Sequence, residues 1–598
     1  MLSPAQADCA VDGAGVSRPV TIGASRTGAC GPAIRSAMKH PPVDQSTVKV
    51  VHPQVPVRPM ARAAAALKAL QGWQRCAAVF ALGAVSTLAF APFFAWPILL
   101  LTFPAIVWLA DSAAATSRPI HATAVAWWWF GFGYFFTGLL WIGEAFLVEA
   151  EIFGWLLPFA VTLLPAGMAL YWALAGAAAA LVWPSPSAQT AQHHIARVLI
   201  AASTLAIVEW LRGHVLTGFP WNTPGMALTM PLPLMQAVSV LGIYGLTLWA
   251  VFICALPAVL FAIPNAIKNR NAAALVATLA GIPLIGAFAL GAWHLAAPPS
   301  PFLNGVNVRI VQPSVPQRDK WIAAKQPGIF SDHLALSKFG ADGINGNLDG
   351  ISHIVWPEAA MPFGPLDHPE ALAAIGQMLP PNVILLTGAL RAERDDATGD
   401  RKAFNSLLAF GDSGKLVALY DKIHLVPFGE YLPFQATLEA IGLQSLTRQR
   451  GGFTPGPRPK PLLNVPGLPP IAPLICYEAI FPNEVVQTKQ RPGLLLIVTN
   501  DGWFGNSMGP YQHFHQARIR AVEQGLPVIR AANNGISGVI DPEGRILQLI
   551  NLNQRSTVDS LVPQMRTKTF YAAFGDIIFW LNLCAFMGTA HLLKRSTK

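Results

Sequence analysis

Charge is what this chain has least of. Only 12% of its 598 residues are Asp, Glu, Lys or Arg, against about 25% in a soluble domain. That excludes a wholly soluble protein, and with 53% hydrophobic residues much of the chain belongs in lipid. Paired cysteines are missing too. Cys9, Cys30, Cys76, Cys254, Cys476 and Cys584 form no CxxC pair, and three of them lie in apolar spans. Neither a disulfide framework nor a zinc site is indicated. A basic stripe is also absent: the formal net charge is +10, but the Lys and Arg residues are scattered, largely between apolar spans. Nucleic acid is therefore not the expected partner. Residues 1–65 are rich in Ala, Pro, Gly and Val and lack helical or strand period. They are expected to be disordered, or untranslated if the start is Met60.

What the chain has instead is a series of apolar spans, at about 75–91, 94–111, 121–143, 155–183, 196–211, 234–262, 272–294 and 571–592. Several reach the roughly 20 residues that cross a bilayer. The first carries Ala89-Phe90-Ala91, which imitates a signal-peptide cleavage site, but another span follows at once. Arg58, Arg62, Lys68 and Arg75 precede span one; Arg118, Arg197, and Lys268 with Arg270 occupy every second loop after it; Lys594, Arg595 and Lys598 follow the last span. The alternate loops hold Glu144, Glu149 and Glu151 or little charge. Lys and Arg mark the cytoplasmic side. Eight spans then put both termini in the cytoplasm and residues from about 295 to 570 outside, in the periplasm of a two-membrane cell. The expected divisions are 1–65, a seven-span domain at 66–298, a soluble domain at 299–565, and a final span with its tail at 566–598.

The soluble region alternates strand-like runs with polar turns: Val306–Val311, Ser352–Trp356, Val383–Leu390, Phe404–Phe410, Leu416–Tyr420, Ile471–Ile475, Leu494–Thr499, Pro527–Ala532 and Ile536–Ile540. Helical segments include Pro369–Leu379 and Tyr511–Gln524. Two hairpins look alike, one turning at Gly411-Asp412-Ser413-Gly414 and the other at Asp541-Pro542-Glu543-Gly544. Strands mixed with helices indicate α/β layers.

The chemistry centres on Leu474-Ile475-Cys476-Tyr477-Glu478. An apolar strand ends in a cysteine, and a helix-compatible segment, Ala479 to Lys489, follows it. A helix dipole there favours thiolate. Cys476 is the soluble region's one cysteine. Two further strands end in partner groups: Ile354-Val355-Trp356-Pro357-Glu358, and Tyr420-Asp421-Lys422. A thiol nucleophile needs a base, for which Glu358 is the candidate provided burial raises its pKa. A charged Lys422 suits the negative charge of a tetrahedral intermediate, with the Tyr477 backbone N–H as second donor. Glu430 is read as orienting Lys422 or assisting proton transfer and Glu478 as a further acid near the motif, with a structural ion pair the alternative for both. Trp503, in Asn500-Asp501-Gly502-Trp503-Phe504-Gly505, is read as a wall of the site or as a core aromatic in a Gly-rich turn. His513 and His515 are two apart on an expected helix, so no metal is assigned, and no cofactor is implied.

In this order and at these strand ends, Glu358, Lys422 and Cys476 resemble the Glu-Lys-Cys triad of the nitrilase superfamily, over about Val306 to Leu549. From about residue 75 onward the chain resembles the bacterial apolipoprotein N-acyltransferases. The membrane motifs that carry this likeness are Phe90-Ala91-Pro92, Glu209-Trp210-Leu211-Arg212-Gly213, Gly218-Phe219-Pro220-Trp221-Asn222 and Leu241-Gly242-Ile243-Tyr244-Gly245. The soluble ones include Pro427-Phe428-Gly429-Glu430-Tyr431 and Asn533-Asn534-Gly535. The resemblance implies a polytopic α-helical membrane domain plus an extracytoplasmic α/β nitrilase-like α-β-β-α sandwich, in a bacterial inner membrane. It implies transfer of a fatty acyl chain from a phospholipid, phosphatidylethanolamine being the expected donor, through a Cys476 thioester to the α-amine of a diacylglyceryl-cysteine apolipoprotein. The alternative is a membrane-tethered nitrilase-type amidase. Leu425–Phe428, Tyr431–Phe434 and Trp503-Phe504 are candidate acyl-chain contacts, while Trp127–Phe130 are expected to pack rather than line a path. Glu209 and Arg212 read as an ion pair at a span's outer end. Nothing in the sequence calls for more than a monomer.

Overall fold

The computed structural model describes residues 59–262, 270–340, 347–394, 401–440, 445–447 and 452–595. The expectation for the N-terminal extension falls almost wholly outside these residues. Its last part departs from that expectation, since Pro59–Ala69 is helical.

Among the described residues six helices are long and apolar enough to cross a bilayer: Trp96–Ala114, Ala150–Val182, Ala191–His214, Val238–Leu260, Asn271–Leu295 and Ile577–Arg595. A seventh candidate, Pro119–Gly138 with Leu140–Leu147, is bent by 53°. The expected first span is the Gly72–Ser86 helix, only 15 residues long, or about 22 Å. It crosses Pro119–Gly138 very closely, because Gly83 and Gly133 have no side chains. A Cβ on Gly83 would lie 1.9 Å from the Phe130 carbonyl oxygen, and one on Gly133 1.9 Å from that of Phe80. Small residues permit such backbone approach in lipid, where apolar burial gives helices little reason to associate. The Trp127–Phe130 run packs: Trp127 Nε1 donates to the Ile106 carbonyl at 3.1 Å, Trp128 Nε1 to that of Ala166 at 3.1 Å, and Phe130 stacks on Trp172 at 5.6 Å. Glu209 and Arg212 pair as expected, but fully buried. Glu209 also accepts from Trp172 Nε1 at 2.8 Å, and Arg212 donates to the Phe219 carbonyl.

The remaining chain forms two sheets. The first has strands β1 (Phe302–Gln312), β2 (His353–Val355), β3 (Ile384–Arg394), β4 (Arg401–Phe410) and β5 (Leu416–Asp421), with β6 (Ile471–Ile475), β7 (Leu494–Thr499), β8 (Val528–Ala532), β9 (Ser537–Ile540) and β10 (Ile546–Ile550) in the second. The last strand, β11 (Ser556–Pro563), returns to the first sheet, giving the orders β11-β1-β2-β3-β4-β5 and β10-β9-β8-β7-β6. In each sheet three successive strands run parallel, β1-β2-β3 and β6-β7-β8, and the next two antiparallel. The two similar turns form the same hydrogen bonds: Gly414 N–H to the Gly411 carbonyl and Gly544 N–H to the Asp541 carbonyl, both 2.9 Å.

Alternation of side chains sets the layers. Ile310, Leu386 and Leu407 of one sheet meet Ile475, Leu496 and Ile529 of the other. The opposite face of the first sheet covers Leu336, Ile375 and Met378, from the helices Gln326–Phe339 and Pro369–Met378. The opposite face of the second covers Phe514, Ala517 and Ala521 of the Gly509–Gln524 helix. The order is therefore helix, sheet, sheet, helix.

The two regions share one core. Ile480, Phe481, Ile519 and Val522 of the soluble layers belong to the apolar cluster of the membrane helices. The membrane motif at 217–222 is the seam. Trp221 Nε1 donates to Gln512 Oε1 at 2.6 Å, Tyr477 Oη to the Gly218 carbonyl at 3.0 Å, and the Thr217 carbonyl lies 2.9 Å from His424 Nε2.

Candidate active site

Strands β2 and β5 run in the same direction in the first sheet, so Glu358 and Lys422 emerge at one end of it. Strand β6 delivers Cys476 from the facing sheet, and β7 delivers Asn500. Four strand ends thus converge. The helix expected after Cys476 does not form: Cys476–Ile480 is a 3₁₀ turn, then Pro482–Glu484 another. Pro482 cannot donate within a helix, and the chain turns at Phe481 before it. That segment therefore offers the thiol no α-helix N-terminus. Cys476 instead has φ +51°, a left-handed conformation that costs a non-glycine residue about 1–2 kcal/mol.

Glu358 is buried, and its oxygens are both engaged. Oε1 accepts from Asn405 Nδ2 at 2.8 Å and Oε2 from the Asn500 N–H at 2.8 Å. The Lys422 ammonium lies 3.6 Å from Oε1. Glu430 joins them: both its oxygens are 3.0 Å from Lys422 Nζ, Oε1 accepts from Asn405 Nδ2 at 2.9 Å, and Oε2 from the Val426 N–H at 2.8 Å. Asn405, on β4, thus bridges the two acids; its isolated position in an apolar strand offers no sequence signal. Gly388 lets the Glu358 turn lie flat on β3, for a Cβ there would be 2.5 Å from Glu358 Cα.

Electrostatics follow from burial. Burial alone would push the Lys422 ammonium down, but Glu430 and then Glu358 hold it well above the usual lysine range, so it is charged. Burial pushes the Cys476 thiol up, Glu358 pushes it further, and Lys422 pulls it down. The balance favours the neutral thiol over the thiolate. A second lysine, Lys320, is buried and donates to the Glu358 main-chain carbonyl at 3.2 Å. Burial lowers it to about 8, against the pull of Glu358.

The supporting residues separate. Glu430 belongs to the cluster. Glu478 faces away from it and accepts from Tyr420 Oη at 2.7 Å and from the Ile423, His424 and Ile475 N–H groups at 3.0, 3.3 and 2.8 Å. Burial works to raise its carboxyl, yet Lys460 and these donors keep it below the usual range. It straps the Lys422 turn to the Cys476 turn. Tyr477 stacks on Phe219 and meets Phe481 edge-on at the seam. Trp503 is half-buried, and it is Phe504 that packs on Trp141 and Trp221. His513 and Asp501, not assigned to the site from sequence, lie directly behind Cys476: His513 Nε2 is 3.2 Å from its carbonyl oxygen.

A cleft of about 750 Å³ opens nearby, between the 213–217 loop and residues 423–435 and 481–487. Ile423 and His424 line it, but Glu358, Lys422 and Cys476 do not. These three candidate residues therefore lie outside it. Phe428 and Phe434, on the loop after Lys422, are exposed, Phe434 by 87%.

A buried acid, lysine and cysteine on the facing ends of a two-sheet sandwich, resting on membrane helices, define a membrane-embedded enzyme of the carbon-nitrogen hydrolase fold. Residues 310–569 match the carbon-nitrogen hydrolase family, and residues 82–256 the N-terminal domain of apolipoprotein N-acyltransferase. The apolipoprotein N-acyltransferase of Rhodopseudomonas palustris is 45% identical over 520 residues, covering 87% of this chain and 95% of that one. Those of Bradyrhizobium diazoefficiens and Brucella melitensis are 42% and 43% identical over 85% of this chain and 92% and 93% of theirs. Among solved structures, a mutant of the amidase from Nesterenkonia sp. AN1 covers 47% of this chain and 98% of that one, at 17% identity and a TM-score of 0.30; a likeness that slight carries no weight. The chain belongs to the apolipoprotein N-acyltransferase family, and it is an acyltransferase of lipoprotein maturation. The amidase alternative is not favoured.

Proposed function

We propose that Cys476 is the nucleophile, Glu358 the general base and acid, and Lys422 the oxyanion-stabilising cation of this N-acylation. The observation that carries the reading is the buried Glu358–Lys422–Glu430–Asn405 cluster, electrostatically coupled to the Cys476 sulfur. Glu358 takes the thiol proton as the sulfur attacks the ester carbonyl of a phospholipid. The carbonyl oxygen becomes negative beside the Lys422 ammonium. Collapse breaks the ester C–O bond, and the lysophospholipid oxygen leaves with the proton from Glu358. The thioester then meets the α-amine of the diacylglyceryl-cysteine. Glu358 removes a proton from nitrogen, the C–S bond breaks, and the thiol is restored. Glu430 keeps Lys422 charged and in place, while Glu478 and Tyr477 hold the two turns and the seam; Trp503 stands as a site wall.

Phosphatidylethanolamine is the proposed donor, and a monomer the working unit. The proposed placement is a bacterial inner membrane, with eight spans, the sandwich at 299–565 in the periplasm and both termini in the cytoplasm. The Lys and Arg loops support this orientation. Exposed Phe428 and Phe434 support a loop that meets acyl chains. Purified protein given phosphatidylethanolamine and a diacylglyceryl lipopeptide tests it: N-acylated peptide is expected, and release of free fatty acid alone would contradict it.

A further inference from the structure

Behind Cys476 lies a fully buried polar group that the reaction above does not use. Asp501 Oδ1 accepts from the Thr499 hydroxyl at 2.9 Å and lies 2.9 Å from His513 Nδ1. Asp501 Oδ2 accepts from Arg530 Nη2 at 2.8 Å, and Arg530 Nε donates to the Ile536 carbonyl at 3.1 Å. Asp501, His513 and Arg530 are each at most 1% exposed. The group touches the main chain of the nucleophile: His513 Nε2 reaches the Cys476 carbonyl at 3.2 Å.

We propose that Asp501 and His513 are positioning residues that hold the Cys476 main chain in its left-handed conformation and so aim its sulfur at the Glu358–Lys422 cluster. Cys476 is a non-glycine residue at φ +51°, and such a conformation persists only where the surroundings over-determine it. Nothing in a 3₁₀ turn supplies that constraint; the His513 ring against its carbonyl does. The ring is itself fixed from both sides. Arg530 Nη2 lies 3.2 Å from His513 Nδ1, and the neighbouring Gln512 is bonded to Trp221 of the membrane seam. Gly535 leaves the room Asp501 occupies, since a Cβ there would sit 2.1 Å from Asp501 Oδ2. The arrangement links the nucleophile's backbone to the membrane domain through one helix.

This inference rests on Cys476 being the nucleophile. The test uses the full chain in detergent, with phosphatidylethanolamine and a diacylglyceryl peptide. It reads kcat, KM and the rate at which iodoacetamide alkylates Cys476, followed on its own peptide by mass spectrometry. His513→Leu is expected to lower kcat at least tenfold with KM within threefold, and to slow alkylation at least fivefold, because the sulfur is no longer held near Lys422. His513→Gln keeps a side-chain N–H for the Cys476 carbonyl and is expected to return both rates to within threefold of the parent. If melting shows that His513→Leu does not fold, Asp501→Asn takes its place with the same two rates. Parental rates in the folded variant, or His513→Gln as slow as His513→Leu, would overturn the proposal. Activity surviving in Cys476→Ala would instead refute the nucleophile itself.

Discussion

Both carboxylate oxygens of Glu430 lie 3.0 Å from the Lys422 ammonium, inside a cluster where neither side chain is more than 7% exposed. A buried cation with two acids beside it stays charged through the reaction and cannot serve as the base. Removing Glu430 takes away the nearer of its two partners and its hydrogen bonds, at a cost of roughly 1.5–3 kcal/mol for a bond to a charged group. Glu430→Gln is expected to lower kcat about a hundredfold, near 3 kcal/mol of barrier, and to lower the melting temperature. Glu430→Asp, which keeps the charge, is expected to be milder on both.

Glu478 ties two turns together with one side chain. One oxygen accepts from the N–H beside Lys422 and the other from the N–H beside Cys476, namely those of Ile423 and Ile475. A Gln there turns an amide donor toward one of those N–H groups. Glu478→Gln is expected to destabilise the fold by about 1–3 kcal/mol, the cost of an unsatisfied buried group, and to reduce kcat with little change in KM. Denaturant melts and steady-state kinetics check both.

These two acids mark how far the sequence can be read. The strands, the paired hairpins and the three candidate reacting residues are legible because most strands are short apolar runs and each of those residues follows one, Glu358 and Cys476 after the buried parallel β2 and β6, Lys422 after the half-exposed antiparallel β5. Strand β11 is not, since Ser556–Pro563 is partly or fully exposed in its first half and only half apolar. The helix expected after Cys476 fails for a local reason: composition permits it, but Pro482 and the packing of Phe481 against His424 and Tyr477 fix two short turns. Glu478 reads in sequence as a further acid of the site or as a structural ion pair; it is the latter, paired with Lys460 at 3.3 Å, and spacing cannot tell which way a carboxylate turns. Asn405, Asp501 and His513 gain their places only from tertiary convergence. The membrane motifs are recognisable, but nothing in them signals that 217–222 forms the seam under Tyr477.

Lys320 gives the fold a pH signature. Burial lowers it to about 8, against about 10.4 for an exposed lysine. Between those values the unfolded chain holds a proton that the folded chain has lost, so this residue makes stability rise with pH. The stability of the parent relative to Lys320→Met is expected to increase from about pH 8 to about pH 10.4, by on the order of 3 kcal/mol. Melting of both proteins across that range checks it; parallel curves would show that Lys320 is not depressed.

The central claim is a fatty chain carried on one sulfur. The most direct measurement is mass spectrometry of the protein after incubation with phosphatidylethanolamine and no acceptor. The account predicts a mass increase of one acyl chain on the peptide containing Cys476, lost on adding diacylglyceryl peptide and absent in Cys476→Ala. Turnover with no adduct on that peptide, or an adduct that persists in Cys476→Ala, would contradict it.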